Sequence, residues 1–242
     1  MSTTKGVSNK QCFPGVKIQR EYSIQDSLDR FSAIYFSSFP KGERVALSKL
    51  ISTIQEKSRW LFTVRSDSQL IGFATTIPLF DTDMHFLEYI AINRSYRCLG
   101  AGRELFGHVK DYLREHTERT GFVFETESPQ SGSSVERKIR KDRLKFFVEA
   151  GARRLPRAKQ YRAPDLSGSG FVDLMLMWVP FGQKTDGPTT EDLVAYVKAI
   201  YRLSYHLSLD DPRLKSVLNE MITAGKSGEK NADTVHFTGE TT

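Results

Sequence analysis

Apolar residues recur along this chain at two periods, and the switches between them mark out its elements. Residues 16–22 alternate weakly, as a first strand would. Leu28, Phe31, Ile34 and Tyr35 fall at helical spacing within 26–39, and Val45, Leu47, Leu50, Ile51 and Ile54 do so within 43–56, with Pro40-Lys41-Gly42 between them. The apolar runs 60–64 and 70–79 flank a polar Ser66-Asp67-Ser68-Gln69, which predicts a hairpin. A third apolar run, 84–92, is expected at the centre of the sheet. Ala101, Leu105, Val109, Tyr112 and Leu113 then form a helical stripe that ends before Gly121. The segment 122–126 reads as a strand, and Ser133 with Glu136 makes a capping box for a helix running to about Ala150, closed by Gly151. Residues 153–161 read as a basic strand, 163–170 as a loop and 171–179 as a strongly apolar last strand. Thr189 opens a helix with Leu193, Val197, Ile200 and Tyr201 on one face, and Asp211-Pro212 opens another with Leu214, Val217, Leu218 and Met221.

This order predicts an α/β architecture, one mixed sheet flanked by helices with extra helices at the C-terminal end. The core domain is expected over 15–182, after a flexible arm at 1–14. A helical extension is expected over 183–224 and a polar, disordered tail over 225–242.

The chemistry concentrates after the central strand. Leu87-Glu88-Tyr89-Ile90-Ala91-Ile92 is followed by Asn93-Arg94-Ser95-Tyr96-Arg97-Cys98-Leu99-Gly100-Ala101-Gly102-Arg103. Small residues at a strand-to-helix turn let backbone N–H groups converge, and the helix adds the positive end of its dipole. A pyrophosphate suits such a place, and Arg97 and Arg103 are placed to add charge-assisted contacts. A tight turn that binds nothing is the plain alternative. The pattern lacks the third glycine of a dinucleotide fingerprint and the Gly-Lys-Ser/Thr of a P-loop. Tyr96-Arg97-x-x-Gly100-x-Gly102 after that strand resembles the acyl-CoA-binding motif of the GNAT acetyltransferases, whose core is Arg/Gln-x-x-Gly-x-Gly/Ala. Arg143-Leu144-Lys145-Phe146-Phe147-Val148-Glu149-Ala150-Gly151-Ala152 resembles that family's later helix ending in aromatic-x-x-x-Gly. The resemblance covers about 16–180 and leaves out the C-terminal helices.

What the resemblance implies is an N-acyltransferase using acetyl-CoA or a longer acyl-CoA as co-substrate, without a metal. Amides of Ile90, Ala91 and Ile92 would pair with the pantetheine arm. Those of Leu99, Gly100, Ala101, Gly102 and Arg103, with Arg97 and Cys98, would hold the pyrophosphate. Two positions depart from the pattern. Cys98 stands where many members have glycine, and Phe147 stands where many have a tyrosine that protonates the leaving thiolate.

Amide formation needs a neutral amine, so a general base is expected. Glu88, a carboxylate inside an apolar strand and the counterpart by resemblance of a strand glutamate in polyamine-type members, is the first candidate; a structural ion pair is the alternative. Glu125 and Glu127 lie on one face of the next strand and would bind a cationic amine or orient water, unless they face solvent. Tyr161 is the candidate acid in place of the missing tyrosine, or a packing residue. Cys98 has no histidine near it in sequence to make it a nucleophile.

Composition narrows the field a little. The 242 residues include two cysteines, Cys12 and Cys98, which are not expected to pair, and five scattered histidines without metal-ligand spacing. No apolar run nears the roughly 20 residues that span a bilayer, and the N-terminus lacks an apolar leader, so a cytoplasmic protein is expected. A net charge of +6 favours nucleic acid, CoA phosphates or an acidic acyl carrier protein as partner. The acceptor amine is left open between small molecules and peptide side chains. The apolar stripes of the C-terminal helices need cover, from the domain, a partner or a homodimer. A non-catalytic acyl-CoA sensor, favoured by Phe147, is the alternative function; a basic nucleic-acid-binding protein is the third.

Overall fold

The computed structural model describes residues 16–97, 99–182 and 187–233. Its main sheet has seven strands. In chain order they are β1 (Val16–Glu21), β2 (Trp60–Ser66), β3 (Gln69–Pro78), β4 (Met84–Ile92), β5 (Gly121–Glu127) and β6 (Arg153–Arg154), with β9 (Leu174–Pro180) after a two-stranded ribbon of β7 (Ala163–Pro164) and β8 (Phe171–Val172). The spatial order is β1-β2-β3-β4-β5-β9-β6. Every neighbouring pair is antiparallel except β4 and β5, which are parallel. The mixed sheet and central strand expected from the hydrophobic pattern are therefore present.

Helices cover both faces. On one side α1 (Leu28–Ser38) and α2 (Leu47–Gln55) bury Phe31, Ile34, Tyr35, Leu50 and Ile54 against Leu61, Phe73, Tyr89 and Ala91. Beside them, α5 (Thr190–Leu203) and α6 (Pro212–Asp233) bury Val197, Ile200, Tyr201, Leu214 and Val217 against Phe86, Val123, Leu176 and Trp178. On the other side α3 (Ala101–His116) and α4 (Ser134–Glu149) pack Leu105, Phe106, Val109 and Phe147 on Phe62, Leu87, Phe124 and Met177. The apolar stripes of the last two helices thus find their cover within the chain. Among the described residues no helix is long and apolar enough to cross a membrane.

Four expectations are corrected. The helix expected over 43–56 starts only at Leu47, and Glu43 ends a short turn, Lys41–Glu43, after which Arg44 is extended. The basic strand expected over 153–161 is two residues long, because Pro156 begins a helical turn and cannot donate to a ladder. The strand expected over 171–179 is divided at Asp173: Phe171 and Val172 pair with Pro164 and Ala163, and only Leu174–Pro180 pairs with β5. The last helix runs past Gly225, where a disordered tail was expected, to Asp233. Gly225 is a contact residue rather than a helix end, since a Cβ there would lie 2.9 Å from Thr190 Oγ1 of α5.

One irregularity positions the site. Thr75 and Thr76 of β3 face Tyr89 and Leu87, so Glu88 is the extra residue of a bulge in β4. The parallel pairing of β4 with β5 stops at Leu87 opposite Phe124, while β4 continues along β3 and β5 along β9. From Glu88 and Glu125 onward the two strands part, and a wedge opens in the middle of the sheet.

Candidate active site

A cavity of about 620 Å³ fills the wedge. Glu88, Ile90, Ala91, Ile92, Arg97, Gly100, Gly102, Arg103, Glu125 and Glu127 all line it, so most of the residues singled out from sequence meet at one place. Cys98 lies outside the described residues. Leu99 is exposed and Ala101 is buried against the core, so these two can offer the cavity only backbone groups.

The glycine turn is built to present donors. Asn93 caps it by accepting from the Ser95 N–H at 3.1 Å, and Arg97 Nε ties it to the strand end by donating to the Ile92 carbonyl at 3.0 Å. Gly100 is left-handed, with φ of 92°, and a Cβ there would meet nothing within 4 Å. Among the described residues no side chain caps α3, and its first internal bonds come from the N–H groups of Arg103 and Glu104 to the Gly100 carbonyl. The earlier N–H groups of the turn are left to point along the helix axis. An uncapped helix end with open space in front of it fits a pyrophosphate.

The strand supplies donors too. Asn93 N–H donates to Ile71, and along an antiparallel pair such bonds alternate. With Ile92, Ala91 and Ile90 opposite Gly72, Phe73 and Ala74, the alternation turns Ala91 toward β3 and the N–H groups of Ile90 and Ile92 toward the wedge. An extended thioester arm can pair there.

At the other end the wall is acidic, and the structure separates the carboxylates by role. Glu88 is clamped by Arg59, whose Nε and Nη2 donate to its two oxygens at 2.8 Å each; the two side chains are 3% and 2% exposed. Ser204 Oγ donates to Glu88 at 2.6 Å and Thr75 Oγ1 at 3.3 Å. Despite burial, the adjacent carboxylate raises the pKa of Arg59 above its ordinary value. Both oxygens of Glu88 are taken up by the guanidinium fork and the two hydroxyls, so the structural ion pair is the reading that the geometry supports.

Glu125 is the opposite case. Tyr161 and Tyr205 donate their hydroxyls to its two oxygens, and no cation pairs with it among the described residues. Protein surrounds the carboxyl closely, and its remaining accessible surface opens onto the cavity. Burial raises its pKa to about 7; the two tyrosine hydrogen bonds pull against this, and Glu43 and Glu88 add to it. Tyr161 therefore does not stand as an acid at the cavity: it is not among the lining residues, its hydroxyl is committed to Glu125, and burial beside that carboxylate holds its pKa well above the usual tyrosine value. Glu127 is paired with Arg143 and only partly exposed.

Sequence reasoning missed Glu43, Arg59, Ser204 and Tyr205. Glu43 lines the cavity, and its carboxyl has no hydrogen bond or ion pair among the described residues. Burial, with Glu127 nearby, raises its pKa to about 7 against the pull of Arg143 and Arg140. Tyr89 fixes the backbone at this point, accepting from the Val45 N–H and donating to the Glu43 carbonyl. Tyr205 extends the stripe of Val197 and Tyr201 by one more turn, a signal present in the sequence; a buried Arg59 in a polar turn leaves none.

Residues 27–133 match the model of the Acetyltransferase (GNAT) family. Among the curated proteins none matches the chain. Among solved structures, one described as a GNAT-family acetyltransferase from Bacteroides thetaiotaomicron is 21% identical, with a TM-score of 0.61 over 79% of this chain and 99% of that one. NAA60 of Arabidopsis thaliana, solved with a bisubstrate analogue, is 14% identical, with a TM-score of 0.51 over 68% of this chain and 98% of its own. A spermidine N-acetyltransferase chimera of Vibrio cholerae SpeG and hSSAT is 13% identical, with a TM-score of 0.51 over 69% and 95%. The matched segment holds α1 to α3, the wedge and the glycine turn, and it is over this segment that the chain is similar to the GNAT acetyltransferases.

Proposed function

We propose that this protein transfers an acetyl or longer acyl group from acyl-CoA to a primary amine by direct attack, with both substrates bound and Glu125 as general base. One observation carries the reading: a single cavity joins the uncapped end of α3 to an unpaired carboxyl whose pKa is raised to about 7. Such a group is partly ionised at neutral pH and accepts a proton effectively there. The turn at Gly100 and Gly102 holds the pyrophosphate, and the N–H groups of Ile90 and Ile92 align the arm and polarise the thioester carbonyl. The amine nitrogen bonds to the acyl carbon as its proton passes to Glu125. The carbon–sulfur bond breaks, and the thiolate takes a proton from water, since Phe147 lines the cavity without a hydroxyl.

Glu43 extends the reading to the acceptor. An unpaired carboxyl on the cavity wall favours an amine that carries a second positive charge, and 1,4-diaminobutane is the simplest probe of that kind. The test measures acetyl-CoA binding by calorimetry and thiol release with 1,4-diaminobutane, for wild type, Gly100→Trp and Glu125→Gln. Saturable binding that Gly100→Trp abolishes, with release that Glu125→Gln abolishes while binding persists, is the expected result. Absence of acetyl-CoA binding by the wild type refutes the reading; binding without release from a broad amine panel makes the protein a sensor.

A further inference from the structure

The family match ends at residue 133, yet the acidic half of the cavity is finished by residues far beyond it. The stretch that follows α5 enters the wedge. Ser204 Oγ donates to Glu88, the Ser204 carbonyl accepts from Arg59 Nη2 at 3.2 Å, and Tyr205 donates its hydroxyl to Glu125. Both residues line the cavity and both are buried. Two adjacent residues thus grip the two carboxyl groups that stand where β4 and β5 part.

Their placement is rigid. Ser204 and Tyr205 both donate backbone N–H groups to the Ile200 carbonyl, and Leu207 N–H closes back onto Tyr201 at 3.0 Å. Between them His206 is held left-handed, with φ of 57°, so the chain reverses directly after Tyr205. The Tyr201 and Tyr205 rings meet edge-on at 5.7 Å, and the Tyr201 hydroxyl donates to the Arg162 carbonyl at 2.6 Å. Tyr161, the second hydroxyl on Glu125, belongs to the same buried cluster as α5 and α6.

We propose that Ser204 and Tyr205 complete the acceptor half of the active site, as positioning residues that orient Glu125 and lock the Arg59–Glu88 pair. The C-terminal helices then act as part of the catalytic wall rather than as an appendage. This inference rests on the acyl-transfer reading for its meaning, but its geometry can be tested without any acceptor. Glu125 is faced by the Tyr161 and Tyr205 hydroxyls and, more distantly, by Glu43 and Glu88, the latter paired with Arg59. A hydrogen bond donated to a carboxylate favours its ionised form. Removing the Tyr205 hydroxyl therefore raises the midpoint at which Glu125 titrates.

The experiment uses the full chain with carboxyl-13C glutamate, and the resonance absent from Glu125→Gln identifies Glu125. In Tyr205→Phe its midpoint is expected to rise by about one unit, and acetyl-CoA affinity by calorimetry to stay at the wild-type value. Turnover with 1,4-diaminobutane then falls about fivefold at pH 7 and recovers by pH 9, a pattern that simple loss of packing does not produce. Ser204→Ala, which keeps both tyrosines, is expected to speed hydrogen exchange of the Arg59 Nε–H about tenfold. A Glu125 midpoint unmoved in folded Tyr205→Phe overturns the role of Tyr205, and unchanged Arg59 exchange overturns that of Ser204. Failure of the wild type to bind acetyl-CoA would instead strike the acyl-transfer reading, and the titration and exchange results would stand apart from it.

Discussion

His85 is the sharpest test of the electrostatics of this fold. Its ring lies on β4, 1% exposed, 4.9 Å from the centroid of Trp60, and neither ring nitrogen has a hydrogen-bond partner among the described residues. Burial first, then Arg119 and Arg20, push its pKa down from 6.5 to about 3. The neutral ring is tolerated in the core; the protonated ring is not. Because the folded pKa lies below the unfolded one, the unfolded chain binds the extra proton as pH falls below 6.5, and stability is lost from there down to about pH 3. Between pH 7 and 4.5 the loss from this residue comes to about 2.5 kcal/mol. Glu43 and Glu125 work the other way: their raised pKa values cost stability at neutral pH and return it on acidification toward 4.5. The comparison must therefore be a difference. Urea unfolding of wild type and His85→Leu at pH 7, 5.5 and 4.5 isolates the histidine, since the carboxyl terms are common to both. The gap between them should move by about 2.5 kcal/mol in favour of the leucine variant as pH falls. Parallel pH dependence in the two proteins would refute the reasoning.

Three more outcomes follow from the same structure. Arg59→Met should cost about 3–5 kcal/mol by leaving Glu88 buried and unpaired, and the double variant with Glu88→Leu should recover much of it, both read from thermal midpoints. Glu43→Gln should raise KM for 1,4-diaminobutane about tenfold at pH 8, where the native carboxyl is ionised, and leave butylamine unaffected, as measured by thiol release. Gly225→Val should lower stability by about 1–3 kcal/mol in urea, because its side chain would meet Thr190 across the α5–α6 contact; an unchanged midpoint would argue against that contact.

Much of this architecture was legible from the order of its residues. Long runs with a clear period, such as those around Leu105 and Val109 or Phe86 and Ala91, give helices and strands because burial of one face decides them. The glycine turn was legible because backbone geometry restricts what can stand at a left-handed Gly100. The acidic half was not, and the reason is physical. Whether Glu88 or Glu125 is unpaired depends on where Arg59, Tyr161 and Tyr205 sit, and those residues are 29, 36 and 80 positions away from the carboxylates they contact. Nothing local distinguishes a strand glutamate destined for a guanidinium from one destined for two phenols. Glu43 was hidden differently: Val45 and Leu47 were read together with Leu50, Ile51 and Ile54 as one helix starting at Glu43, but the chain is extended at Arg44 and the helix starts only at Leu47, so the carboxyl lines the wedge instead of a helix.

The change of strand direction at β4 and β5 also orders the assembly of the molecule. Strands β1 to β4 pair with neighbours close in sequence, apart from the helical excursion before β2, and can form as the chain emerges. Within the sheet the second half is joined to them by four parallel rungs, from Met84 opposite Gly121 to Leu87 opposite Phe124, and β5 gains its other neighbour only when β9 arrives from beyond residue 173. Contacts of such long sequence separation form late. Ser204 and Tyr205 come later still, so the acidic wall closes only after α5 has been made. The meander and the glycine turn thus precede in the chain the residues that finish the acidic wall, so the proposed site would be complete only once β9 and the stretch after α5 are in place.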